Sequence, residues 1–122
     1  MPLAKNMMGA GLSAGKVRNL NGTTFNTSIT AAGTTQATAT ALTADINTIG
    51  TATAAQGVIL YNGVIGDSQD IYNDTTVAVY VYPPTGGNVN QLAANAGFAL
   101  AGKTAVTVKK VTATQWIGFL SA

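Results

Sequence analysis

Thr76-Val77-Ala78-Val79-Tyr80-Val81-Tyr82 runs straight into Pro83-Pro84-Thr85-Gly86-Gly87, and this stretch decides the fold class. Its period is two: Val77, Val79 and Val81 share one face, and Ala78, Tyr80 and Tyr82 share the other, as a pleated strand requires. The prolines then end it, because proline supplies no ladder donor and the glycines admit positive φ.

The same signal recurs on either side of that strand. Val58-Ile59-Leu60-Tyr61 is a short apolar run closed by the turn dipeptide Asn62-Gly63. Residues 68–72 alternate until Asn73-Asp74 breaks them. Residues 96–100 form a short strand, and residues 104–111 alternate again, with Val106 and Val108 on one face. Gln115-Trp116-Ile117-Gly118-Phe119-Leu120 follows, ending two residues short of the last one. On the other side, residues 29–55 are rich in Ala and Thr. The alternation Thr34-Thr35-Gln36-Ala37-Thr38-Ala39-Thr40-Ala41-Leu42 predicts a strand, since β-branched threonine is easier to seat on a pleat than on a helix. The segment 90–96 is a turn or loop, and nothing else has a helical period. Several short strands with frequent turn signals predict an all-β domain, a β-sandwich or jelly-roll-like fold over residues 29–122.

Residues 1–28 differ. Gly9, Gly11, Gly15 and Gly22 interrupt them and no period is sustained. They predict an extended N-terminal arm, able to span about 90–100 Å when stretched; an ordinary loose terminus is the alternative. The run Met7-Met8-Gly9-Ala10-Gly11-Leu12 is too short and glycine-rich for a signal peptide, and Thr and Asn interrupt every apolar run before a membrane span is reached. Synthesis in the cytoplasm and no membrane partner are expected.

At 122 residues there is room for one domain and one core. Six Lys and Arg stand against four acids, all Asp, and the chain has no His and no Cys. That composition removes the Ser-His and Cys-His nucleophile pairs, the imidazole base, ordinary zinc sites and disulfides. The net charge is +2, but the largest basic cluster is Lys109-Lys110, so no nucleic-acid surface is expected. Charged residues make up 8% of the chain against a usual quarter, which implies that other chains cover much of its surface. The charges are also segregated: Lys5, Lys16 and Arg18 come first, then Asp45, Asp67, Asp70 and Asp74, then Lys103, Lys109 and Lys110.

Two constellations invite a chemical reading. Asp67, Asp70, Asn73 and Asp74 gather oxygen donors, but their spacing is not that of a calcium loop, and they are expected on the wet face and end of a strand. Gly9-Ala10-Gly11 and Gly86-Gly87 do not join a strand to a helix, so neither forms a phosphate cradle. Most aromatic residues are expected in the core, with Tyr82 beside Pro83-Pro84 as a possible surface contact. No catalytic, cofactor or metal residues are assigned.

Beyond these readings, Gly66-Asp67-Ser68, residues 79–87 (VYVYPPTGG), residues 90–98 (NQLAANAGF) and residues 113–122 (ATQWIGFLSA), with a weaker start at residues 31–39, resemble small proteins of tailed bacteriophages that include the capsid decoration, or cement, proteins. The resemblance covers residues 31–122. It implies a β-sandwich homotrimer on the outside of the phage head in the virion, bound to the major capsid protein and stabilising its shell. It also implies an N-terminal arm whose contacts with the capsid would involve Lys5, Lys16, Arg18 and Phe25. Related short β-domains occur in tail fibres and spikes, so a receptor- or glycan-binding module using Tyr80, Tyr82 or Trp116 is the alternative. An enzyme using the Asp67–Asp74 cluster and a metal ranks last.

Overall fold

The computed structural model describes residues 24–121, so Lys5, Lys16 and Arg18 lie outside the described residues. Within that range the protein is all β. The strands are β1 (Phe25–Thr30), β2 (Thr40–Ala41), β3 (Ile46–Thr51), β4 (Gly57–Ile59), β5 (Ser68–Asn73), β6 (Val79–Tyr82), β7 (Asn88–Val89), β8 (Phe98–Leu100), β9 (Ala105–Lys110) and β10 (Gln115–Leu120).

The first six strands wind as a coil. Odd-numbered strands enter one sheet and even-numbered strands the other, and each pairs in parallel with the strand one circuit away. Phe25 lies beside Ile46 and Ile46 beside Asp70, while Thr40 lies beside Val58 and Val58 beside Val81. One circuit takes about twenty residues, the short period of a solenoid. The last strands close this coil antiparallel: β8 on β6, β9 on β5 and β10 on β9, with β7 parallel to β10. The result is a six-stranded sheet ordered β1-β3-β5-β9-β10-β7 and a four-stranded sheet ordered β2-β4-β6-β8.

This corrects the jelly-roll sandwich expected from the sequence. Two sheets do share one core, but they are built as a β-solenoid with an antiparallel end, and Asn62-Gly63 makes no hairpin. The chain from β4 to β5 crosses between sheets instead. That crossing is pinned by Lys110, whose Nζ donates to Gly63 O at 2.7 Å and Asn62 Oδ1 at 2.9 Å, and by Asp67, whose Oδ2 accepts from Val64 N at 3.0 Å. The domain also begins earlier than expected. Phe25 to Ser28 belong to β1, so the boundary placed at residue 28 falls inside a sheet strand.

The faces that alternation sets in the sequence become the core. Val79 and Val81 of β6, Val106 and Val108 of β9, Ile49 of β3 and Ile71 of β5 are all buried in a single cluster with Trp116 and Leu100. Aliphatic side chains facing inward from both sheets supply most of the stability.

The Thr/Ala-rich stretch departs from expectation. Only Thr40–Ala41 is strand, and Gln36–Thr38 forms a 3-10 turn. The hydroxyls bond locally: Thr35 and Thr38 Oγ1 lie 2.8 Å apart, and Thr38 Oγ1 accepts from Thr35 N at 3.3 Å. With no large apolar side chain on either face to bury, these local bonds win over a ladder.

The loops around that turn cover the outer face of the small sheet. Gln36 Nε2 donates to Pro83 O at 2.7 Å and to Asn95 Oδ1 at 3.1 Å, and Tyr82 Oη donates to Thr34 O at 3.2 Å. The Tyr82 ring lies between two glycines. A Cβ at Gly57 would sit 2.6 Å from Tyr82 Cε2 and 2.8 Å from Tyr80 O, and one at Gly97 would sit 2.8 Å from Tyr82 Cε1. Gly57→Ala is therefore expected to cost about 1–3 kcal/mol, because the ring and a backbone carbonyl must both give way. An unchanged denaturation midpoint would show that the ring is not held there.

Candidate functional site

The alternation that fills the core leaves the other face of the six-stranded sheet outside, and the strand register sets its composition. One row across it reads Phe25, Ile46, Asp70, Thr107 and Phe119, from β1, β3, β5, β9 and β10 in turn. The next row carries Thr48, Tyr72 and Ala105, and the row on the other side carries Ser68, Lys109 and Ile117. Phe25 is 72% exposed and Phe119 56%, and Ile46 and Tyr72 are also exposed. Four of the large apolar side chains left in solvent therefore belong to one flat surface, where isolated ones would need no explanation. A shallow hollow of about 250 Å³ between β9 and β10, lined by Thr107, Phe119, Leu120 and Ser121 among others, lies beside Phe119.

Near the middle of this face stand its two charges, both held by hydroxyls. Thr107 Oγ1 donates to Asp70 Oδ1 at 2.6 Å, and Lys109 Nζ donates to Ser68 Oγ at 2.9 Å. Asp70 and Lys109 are diagonal neighbours on adjacent strands, and no ion pair joins them to any described residue.

Pleating disperses the acidic cluster noted in the sequence. Asp70 points outward. Asn73 points inward, its Nδ2 donating to Val77 O at 2.8 Å and Leu100 O at 3.0 Å while its Oδ1 accepts from Thr75 N and Oγ1. Asp67 is buried in the crossing loop. Asp74 is exposed and accepts from Lys103 Nζ at 2.8 Å. That hydrogen bond and the ammonium charge hold the Asp74 carboxyl below the usual carboxylate range and raise Lys103 in turn; on an exposed pair this adds little to stability. Asp45, remote from these in sequence, is buried at the start of the large sheet, where Tyr61 Oη donates to Oδ1 at 2.5 Å and Thr24 N and Oγ1 donate to Oδ2. Each acid is thus committed to a different structural contact, and among the described residues no three His, Cys, Asp or Glu side chains converge on a point that could hold a metal.

The aromatic residues named from the sequence separate in the same way. Phe25 sits on the outer face of the large sheet, as part of a strand rather than an arm. Tyr82, expected as a surface contact, is only 8% exposed: its face of the small sheet is roofed by the loops at residues 33–39 and 95–97. Trp116 is 1% exposed with Lys110 Nζ 5.6 Å from its ring centroid, and Tyr80 is half-buried against Tyr82. Of the three residues named for a sugar site, Tyr82 and Trp116 are therefore buried and Tyr80 alone keeps part of its ring in solvent. The row of Ile46, Asp70 and Phe119 has no local signature in the sequence. Each lies on a different strand, and only the pairing partners bring them together. No protein-family model matches this chain, and neither does any curated protein.

Proposed function

We propose that this chain is a structural component of a virion, a decoration protein that attaches to the outside of a phage head and stabilises its shell, with the major capsid protein and copies of itself as partners and no reaction catalysed. The observation that carries this reading is the flat outer face of the six-stranded sheet, where Phe25, Ile46, Tyr72 and Phe119 stand in solvent on a chain that is only 8% charged. A surface of that kind is stable in water when another protein covers it. The resemblance of residues 31–122 to phage decoration proteins supplies the container. The N-terminal segment keeps its expected role as the arm toward the shell, and the start of β1 at Phe25 now limits it to the residues before that strand.

Purified particles carrying the full chain test this. Labelled chain is expected over the whole head, in numbers comparable to the major shell protein, and a truncation lacking residues 1–23 is expected to remain folded but to leave heads bare. Label confined to the tail would support the fibre or spike reading instead. Absence from particles would overturn both, and saturation of heads by the truncated chain would overturn the role of the arm.

A further inference from the structure

We propose that the outer face of the six-stranded sheet receives a second copy of this chain, in a reciprocal face-to-face pair in which Asp70 of each copy meets Lys109 of the other. The inference rests on the reading that the chain assembles with copies of itself, and it names the surface and the symmetry.

Three observations converge on this occupant. First, the face is charge-complementary to itself. It carries one acid and one base at its centre, side by side on β5 and β9, each bonded to a neutral hydroxyl and neither engaged in an ion pair with a described residue. A two-fold axis parallel to the sheet and passing between them exchanges the two positions, so one contact supplies two identical ion pairs. Such a patch suits an isologous contact; a three-fold ring, which the phage resemblance implies, needs two different patches.

Second, β5 and β9 are the third and fourth of the six strands, so the axis passes through the middle of the sheet. Apolar side chains flank it on both sides: Phe25 and Ile46 toward one edge, Ile117 and Phe119 toward the other. A charged centre between apolar flanks fixes one orientation of the pair, because sliding the faces past each other would bring Asp70 onto apolar surface and desolvate it without a partner.

Third, the size fits. Five of the strands are six residues long. At roughly 4.8 Å between strands and 3.3 Å per residue, the face measures about 24 by 20 Å. Covering it on both copies removes on the order of 1,000 Å² from water, the lower bound for a specific interface.

Light scattering behind size exclusion on the full chain, at concentrations up to about 100 μM, tests the proposal. A dimer is expected. Asp70→Lys and Lys109→Asp, each at an exposed position, should each raise the dissociation constant at least about tenfold, whereas the double variant restores the opposite pairing and should return to within a few-fold of the native value. Phe119→Gln should shift the native dimer toward monomer while leaving the far-ultraviolet circular dichroism unchanged. A monomer at the highest concentration, a trimer, or a double variant no better than the singles overturns the pairing. Binding to heads is read separately: a chain that decorates them as a monomer overturns this inference and leaves the decoration reading standing.

Discussion

Trp116→Ala is expected to lower the unfolding free energy by about 3–5 kcal/mol, the largest effect of any single truncation in this chain. The indole is 1% exposed on β10, with Val89 of β7 on one side and Lys110 of β9 on the other. Removing it takes the largest fully buried side chain from the core and leaves a cavity that three strands bound, so little relaxation can fill it. A second loss follows. Lys110 is 7% exposed, and its ammonium, which also secures the crossing loop through Asn62 and Gly63, loses the ring face beneath it. Trp116→Phe, which keeps an aromatic face, should cost less than half as much. Urea denaturation of the three proteins checks this. A loss below about 1 kcal/mol for the alanine variant would show that β10 is not packed on the core. Because domains of this size are stable by about 5–15 kcal/mol, the alanine variant should lose a large share of its stability.

The second large effect is expected at Asn73. Replacing this asparagine by leucine preserves size but removes all four of its side-chain hydrogen bonds. The Leu100 carbonyl loses the amide donor and Thr75 N loses its acceptor, while the Thr75 hydroxyl and the Val77 carbonyl keep their bond to each other, at 3.1 Å. Asn73 is fully buried at the end of β5, where the chain leaves the large sheet for β6 of the small one; its side chain ties that crossing to β8. Unpaired buried backbone groups cost about 1–3 kcal/mol each, so a loss of about 3–4 kcal/mol is expected, against a gain in apolar transfer that the polar surroundings cannot use. Asn73→Asp retains the acceptor and should destabilise by less at low pH, where the carboxyl can be protonated and donate, than at neutral pH. Equal stability of the leucine variant and the native protein would mean that water replaces the lost partners.

The Asn73 effect arises where the chain crosses between sheets, the Trp116 effect reaches another crossing through Lys110, and the crossings are what the sequence displays least. Alternation puts Val79 and Val81 on one face of their strand and Val106 and Val108 on one face of theirs, and these faces are the buried ones, because a pleat has period two whichever strand lies beside it. Partner choice leaves no such period. The dipeptide Asn62-Gly63 looks like a hairpin turn, yet β4 and β5 lie in different sheets, since burying Leu60 and Ile71 in one core requires the chain to cross rather than fold back. Tyr82 shows the same limit: its face of the strand follows from alternation, but its burial depends on Thr34, Gln36 and Asn95, distant in sequence. The Thr/Ala stretch departs from its alternation for another reason, as threonine hydroxyls that can bond a ladder's side chains can equally bond their own turn.

The candidate surface divides along the same line. Composition established that this chain has no His and no Cys and that only 8% of its residues are charged, and alternation established strands with one apolar face, because both depend only on residue type and local spacing. That Phe25, Ile46, Asp70 and Phe119 share one row, that Asp70 stands beside Lys109 while Asn73 turns inward, and that the strands coil instead of forming hairpins, came from three-dimensional pairing. The reason is physical: register between distant strands is set by how all the inward side chains pack at once, a property that no segment carries alone.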